Sequence, residues 1–384
     1  MTLGHVCYSE SLSKCCIFSR IEVDSQKSHS LPRILKTEIF ISESCSKFAR
    51  MAARFLASFR GQSARATSNA APLIQKPPGV QTITTYKDQW TCQEIRIPTP
   101  CGALAAKAWG PIHAKPILAL HGWQDNANTY DLLIPLLKPK YRIIALDFVG
   151  HGYSSHLAPG LFYSTNNFIM DIERVAHYFA WDSFIIMGHS MGGGIGHMYS
   201  LLFPERLRTL VTIDVPLPAT MTTDKFVMMT AFSILNLLRI EREHFGEKPF
   251  AYTADEIIKK HMAAIKNAYT REAVKILMRR GCTQVGPDQF IFNRDRRLKY
   301  VFWNSFDANT AGELATRYKN ELLAIRCVPM QFYKEGYHKI QEIHRDNCSR
   351  YQYSEIEGLH HIHMTDPEKV APIINEFLDN ANIG

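Results

Sequence analysis

Between residues 116 and 214, short apolar runs alternate with amphipathic stretches, and few folds accommodate that order. The runs PILALHG (116–122), YRIIALDFVGHG (141–152), FIIMGHS (184–190) and LRTLVTID (207–214) are apolar almost throughout rather than at every second position. Strands of that kind are buried on both faces. Between them, residues 126–137 space Tyr130, Leu133, Ile134 and Leu137 as a helix does. Residues 165–179 collect Phe168, Ile169, Ile172, Val175 and Phe179 on one helical face, and residues 191–203 read as a helix closed by Pro204. Strict strand–helix alternation with doubly buried strands predicts an α/β fold whose mostly parallel sheet is covered on both sides. Ligands of such sheets bind beyond the carboxyl ends of the strands, so candidate chemistry is sought there.

The flanks extend the pattern. Residues 93–109 read as a hairpin turning at 98–102. Residues 215–318 break the alternation: they are helix-like, rich in Met, Phe and Leu near 226–240, and show no clear strand. They read as a helical cap, 217–318, inserted into a core of 88–216 and 319–384. Alternation resumes with the strand VPMQFY (328–333), a charged helix at 337–347, the strand RYQYSEI (350–356) and a closing helix at 366–378 with Pro367 in its first turn. The longest apolar stretch, 226–240, contains Thr230, Ser233 and Asn236 and falls short of the ~20 residues of a spanning helix, which predicts no transmembrane segment.

Charge excludes one class of partner. Of 44 Lys/Arg and 36 Asp/Glu, residues 1–87 hold 12 and 5, leaving 32 and 31 for the rest. The body is thus nearly neutral, and nucleic acid, which is bound through clustered basic charge, is not an expected partner. The basic excess lies in an N-terminal extension, 1–87, without sustained helix or strand period. Within it, residues 51–73 open at an internal methionine, alternate Arg54, Arg60 and Arg65 with Ala, Phe and Leu, and sit in a stretch free of acidic residues. That composition suits a mitochondrial transit segment, or else a disordered basic tail on an intracellular protein, cytoplasmic or peroxisomal. The nine cysteines include no CxxC pair with matching His or Cys, so no zinc or other metal site is expected, and free thiols in a reducing compartment are the simplest reading.

The motif carrying chemistry is Gly188-His189-Ser190-Met191-Gly192, placed after an apolar strand and opening a helix. G-x-S-x-G in that setting is a nucleophile elbow: the glycines permit a tight turn that lifts the serine above the sheet, and the helix N-terminus brings positive potential to it. A dinucleotide fingerprint fits less well, because no strand-end acid follows ~20 residues on. His121-Gly122-Trp123 lies just after an earlier strand; the Trp123 and Met191 amides are the candidate oxyanion donors, and His121 itself reads as a structural histidine. The base belongs late in the chain. Among His360, His361 and His363, His360 has the register of this loop, two after Gly358 and seven before Pro367. For the acid, Asp214 in TIDVPLP is the expected residue, with Glu335 in Tyr333-Lys334-Glu335-Gly336 as the alternative. His151 and Asp147 read as structural loop stabilisers.

The runs HGWQDNANTYDLLIPLL, ALDFVGHGYSS, GHSMGGGI and GLHHIHMTDPEKV make residues from about 90 to 384 resemble the α/β-hydrolase superfamily, and within it the serine hydrolase-like, or kraken-like, proteins. The resemblance implies a mostly parallel sheet of about eight strands, a cap inserted after the sixth, and cofactor-free, ester-type hydrolysis of a small molecule. The chain departs from the pattern after the seventh strand, where G-x-x-D is expected and Glu335 stands out of place. Epoxide hydrolases and haloalkane dehalogenases share the scaffold with Asp at the elbow, and a serine cannot do their chemistry at sp³ carbon. The expected reaction is therefore cleavage of an ester or thioester by a Ser190–His360–acid triad, with Phe226, Met228, Met229, Phe232 and Leu235 roofing an apolar acyl pocket. The alternative is a non-catalytic binding or receptor protein that keeps the scaffold.

Overall fold

A computed structural model describes residues 90–215, 220–244, 249–265, 268–329 and 337–380, together with the strand pairing of 17–24, 33–41 and 82–86. The chain divides into two units, Met1–Gln75 and Lys76–Gly384. In the first, β1 (Ile17–Asp24) pairs antiparallel with β2 (Arg33–Ile41), where the sequence offers only a few residues of apolar–charged alternation. The transit-like segment 51–73 lies outside the described residues. Among the described residues no helix is long and apolar enough to cross a membrane.

The second unit is built on one nine-stranded sheet. Its strands are β3 (Thr82–Tyr86), β4 (Trp90–Thr99), β5 (Gly102–Trp109), β6 (Lys115–Leu120), β7 (Tyr141–Leu146), β8 (Phe184–His189), β9 (Leu207–Ile213), β12 (Glu321–Val328) and β13 (Arg350–Glu357), in the order β13-β12-β9-β8-β6-β7-β5-β4-β3. The six strands from β13 to β7 run parallel; β5, β4 and β3 form an antiparallel edge. The sheet thus starts at Thr82, inside the stretch assigned to the extension. Successive side chains divide between two cores. Leu118 and Leu120 of β6 and Ile186 of β8 enter one; Ile117, Ala119, Ile185 and Met187 enter the other. This is the doubly buried strand its apolar run implies.

Helices cover both faces. On one lie α1 (Thr165–Tyr178), which buries Phe168, Ile169, Ile172 and Val175 after a Ser164/Asn167 capping box, and α2 (Met191–Leu202). On the other, α9 (Pro367–Asp379) buries Val370, Ile374 and Phe377. Between β9 and β12 come α3 (Thr223–His244), α4 (Ala254–Ala264), α5 (Arg271–Gly281), a hairpin of β10 (Cys282–Gly286) and β11 (Gln289–Phe292), and α6 (Ala308–Ala315). The insertion therefore follows the sixth strand counted from β4. Helix α7 (Tyr337–Asn347) and the single turn α8 (Ile362–Thr365) complete the fold.

Four local expectations are corrected. Residues 126–137 form two 3₁₀ turns, Ala127–Tyr130 and Ile134–Leu136, rather than an α-helix, because Pro135 lacks a donor and Asn126 caps the first turn through Asn128 N–H. The strand expected at 328–333 is β12, seven residues earlier; Pro329 has no N–H to continue a ladder. The cap, expected to lack strands, holds β10 and β11, joined at Pro287-Asp288 with Asp288 at φ 47°. Finally, Phe226, Met228, Phe232 and Leu235 of α3 are 46%, 62%, 54% and 68% exposed, so they do not form the roof expected of them; Phe226 and the half-buried Met229 line a small recess with Val301, Phe302 and Trp303.

Candidate active site

The turn from β8 into α2 puts Ser190 at φ 48°, ψ −115°, a conformation an L-residue adopts only at a cost of about 1–3 kcal/mol. The surroundings hold it there. The Ser190 amide donates to the Ile213 carbonyl at 3.0 Å, and neighbouring backbone leaves no room for other residues: a Cβ on Gly188 would lie 2.5 Å from the Gly192 carbonyl, and one on Gly192 would lie 2.2 Å from the Leu120 carbonyl oxygen. Ser190 emerges half-buried at the carboxyl edge of the sheet.

The loop between β13 and α8 brings His360 to it. Ser190 Oγ–H donates to His360 Nε2 at 2.9 Å, and His360 Nδ1–H donates to Asp214 Oδ2 at 2.5 Å. A carboxylate on Nδ1 fixes the tautomer that leaves the Nε2 lone pair facing the hydroxyl. Asp214, at the end of β9 with φ 52°, is itself oriented by the Cys327 N–H, which donates to Oδ1 at 2.8 Å. Asp214 and His360 are 6% and 2% exposed. Glu335, the competing acid, lies outside the described residues.

The other two late histidines do other work. His361 Nδ1 meets the Ala268 carbonyl at 3.0 Å and Nε2 meets Asp125 Oδ2 at 2.9 Å, while Tyr269 stacks on the ring and donates its hydroxyl to Asp125 at 3.0 Å. Burial alone would raise the Asp125 carboxyl, but the His361 ring and the Tyr269 hydroxyl hold it well below the usual carboxylate range. His363 shares a 2.7 Å hydrogen bond with Thr129, away from Ser190. His189, inside the elbow, donates from Nε2 to the His360 carbonyl at 2.9 Å and so pins the loop; burial, then the charges of His363, His361 and His360, push its pKa far down. The sequence reading missed Asp125, Tyr269 and the His189 bond, whose partners lie 144 and 171 residues apart and leave no local trace.

Trp123 and Met191, whose amides are the expected oxyanion donors, stand in the loop after β6 and at the first position of α2. Among the described residues neither amide meets a protein acceptor. The Trp123 indole donates to the Leu298 carbonyl of the cap at 2.7 Å, which fixes this loop. His121 Nδ1–H donates to the Gly122 carbonyl at 2.7 Å and its Nε2 accepts from Phe148 N–H, a backbone brace. Asp147 accepts from Ala127 N–H, Tyr153 N–H and Arg280 Nε, tying the cap to the sheet, and His151 is buried against His121. Nitrogens of His189, His360 and His361 lie within 4.8 Å of one another, the only such grouping of possible metal ligands among the described residues. Of these nitrogens only His189 Nδ1 is without a hydrogen-bond partner, so an ion there would displace the bonds just described.

A sheet crossed by this elbow and interrupted by a cap after its sixth strand defines an α/β-hydrolase. The α/β-hydrolase fold family matches residues 115–257. A serine hydrolase-like protein of Danio rerio is 34% identical over 303 residues, covering 77% of this chain and 91% of its own. Serine hydrolase-like protein 2 of Homo sapiens is 32% identical over 299 residues, covering 74% and 93%. A crystal structure of a hypothetical protein from Pseudomonas aeruginosa superposes with a TM-score of 0.65 at 27% identity, covering 75% of this chain and 99% of that one. The chain belongs to the serine hydrolase-like proteins of the α/β-hydrolase fold.

Proposed function

We propose that this hydrolase cleaves a carboxylic ester or thioester of a small molecule through an acyl-enzyme on Ser190. The observation that carries the reading is the unbroken hydrogen-bonded chain Ser190–His360–Asp214, ending on a hydroxyl held in a strained turn. His360 Nε2 takes the Ser190 proton as Oγ attacks the carbonyl carbon. The carbonyl oxygen becomes an oxyanion facing the Trp123 and Met191 amides, whose stabilisation is largest once that charge has formed. Collapse breaks the bond to the alcohol or thiol, which leaves with the proton from His360. Water then repeats the sequence, with His360 as base, and frees the acid. Asp214 holds the ring and stabilises its charged form. Hydrolysis of p-nitrophenyl esters of increasing chain length tests this reading: turnover should fall at least about a thousandfold in Ser190→Ala. A variant as active as the parent would refute the assignment.

A further inference from the structure

The cap carries a cation, Arg294, with no ion pair among the described residues. Arg294 follows β11 and lines a narrow recess with Gln124, Asn126, His261, Met278 and Cys282. Gln124 and Asn126 flank Asp125, which lines the same recess, lies within electrostatic reach of Arg294 and bonds His361, the neighbour of His360. The backbone on either side of Arg294 is fixed: Asn293 N–H donates to Gly281 and Asp295 N–H to Gly150, at 2.9 and 2.8 Å. Its guanidinium stacks 3.9 Å from the Phe292 ring centre. Stacking occupies the face and leaves the N–H edge available.

The neighbouring arginines show what is unusual here. Arg280 is paired with Asp147 and Glu94, and Arg297 with Asp295. Among the described residues, none places a carboxylate or other acceptor within bonding distance of Arg294. Asp125, the nearest acid in the recess, is already engaged by His361 and Tyr269. Nor does Arg294 stand alone. Lys260, Arg296 and Lys299 likewise have no acidic partner among the described residues, and Lys260 rests 4.6 Å from the Tyr252 ring centre. They are close enough to be felt: after burial, the charges of Arg294, Lys260 and Arg296 lower the pKa of Lys299. In a body whose basic and acidic residues nearly balance, four cations within electrostatic reach of one another and without an ion pair among the described residues are a local field of one sign. The Arg294 donors are not among the buried unpartnered atoms, so they stay open to solvent and to an anion, which a planar fork can grip with two parallel bonds.

We propose that Arg294, assisted by Lys260, Arg296 and Lys299, forms an anion-binding subsite beside the oxyanion loop, so that the ester or thioester cleaved at Ser190 carries a carboxylate or phosphate. The substrate class rests on the hydrolase reading; the anion site itself does not.

The experiment pairs each neutral substrate with an anionic one that shares its scissile bond. One pair is p-nitrophenyl butyrate against p-nitrophenyl hydrogen glutarate, the carboxylate arm. The other is the butanoyl thioester of N-acetylcysteamine against that of coenzyme A, the phosphate arm. In the parent protein one arm should show a kcat/KM preference for the anionic member, and Arg294→Gln should cut that ratio by about tenfold to a hundredfold. Lys260→Gln with Lys299→Gln, both exposed and safe for folding, should cut it less and make it less sensitive to salt. Glutarate and free coenzyme A are then titrated into Ser190→Ala protein, with and without Arg294→Gln, by calorimetry. Cleavage of neutral esters without an anionic preference, and no binding of either probe, overturns the subsite and leaves the hydrolase standing. Arg294-dependent binding in a protein that cleaves no ester supports the subsite and removes the hydrolase.

Discussion

Ser190, His360 and Asp214 come from three strand ends, and each is anchored by a further bond: the Ser190 amide to the Ile213 carbonyl, the His360 carbonyl to the buried His189 ring, and the Asp214 carboxylate to the Cys327 amide. That arrangement separates the two candidate acids. Asp214→Asn should lower kcat by about 10³–10⁴, because an amide on Nδ1 permits the wrong tautomer. Glu335→Gln should leave kcat within about twofold. Comparable losses in both, measured on one ester, would contradict Asp214 as the orienting acid. The serine and the histidine were legible because each lies in a short motif with a fixed place in the fold. The acid was read as Asp214 with Glu335 as the alternative, and the alternative stayed open because β12 was expected seven residues late. That displacement made Glu335 look like a strand-end residue and left Asp214 without the Cys327 amide that positions it.

Helix α2 shows how much of an element is decided by single positions. Its opening glycines look equivalent in sequence, yet a Cβ on Gly192 would strike the Leu120 carbonyl of β6, whereas Gly194 faces open space. Gly192→Ala should therefore cost about 2–4 kcal/mol. Gly194→Ala should gain about 0.5–1 kcal/mol from helix propensity. Urea midpoints of the two variants would decide it, and equal shifts would contradict the packing given for the elbow. The doubly buried strands and α1 were legible because hydrophobic periodicity reports burial directly: the expected face of Phe168, Ile169, Ile172 and Val175 is the one that packs. The cap was not. Helix α3 is apolar in composition but mostly exposed, with only Leu237 and Ser233 buried among its described side chains, so composition alone misread which way it faces. The β10–β11 hairpin rests on five- and four-residue strands, too short for alternation to register.

The molecule as a whole holds many histidines in the dark. His121 and His151 beside the loop after β6, and His189 and His363 behind His360, are all pushed down, chiefly by burial, and His344 is pushed down to about 4. Their folded pKa values lie below the unfolded value of about 6.5. As pH falls from there, the unfolded chain takes up protons that the fold refuses. Stability therefore drops, by about 1.4 kcal/mol per pH unit for each fully excluded histidine. Asp171, raised to about 7 by burial, works in the opposite sense over much of the same range, as one group against several. Urea unfolding at pH 7, 6 and 5 should show a steadily falling midpoint, and a flat profile would contradict the neutral, buried cluster. The most direct measurement is made on the intact protein: incubation with a fluorophosphonate, followed by whole-protein and peptide mass spectrometry. One adduct per chain on the Ser190 peptide, absent from Ser190→Ala and much slowed in Asp214→Asn, is the predicted result. An adduct that persists in Ser190→Ala, or a parent protein that never labels, would contradict it.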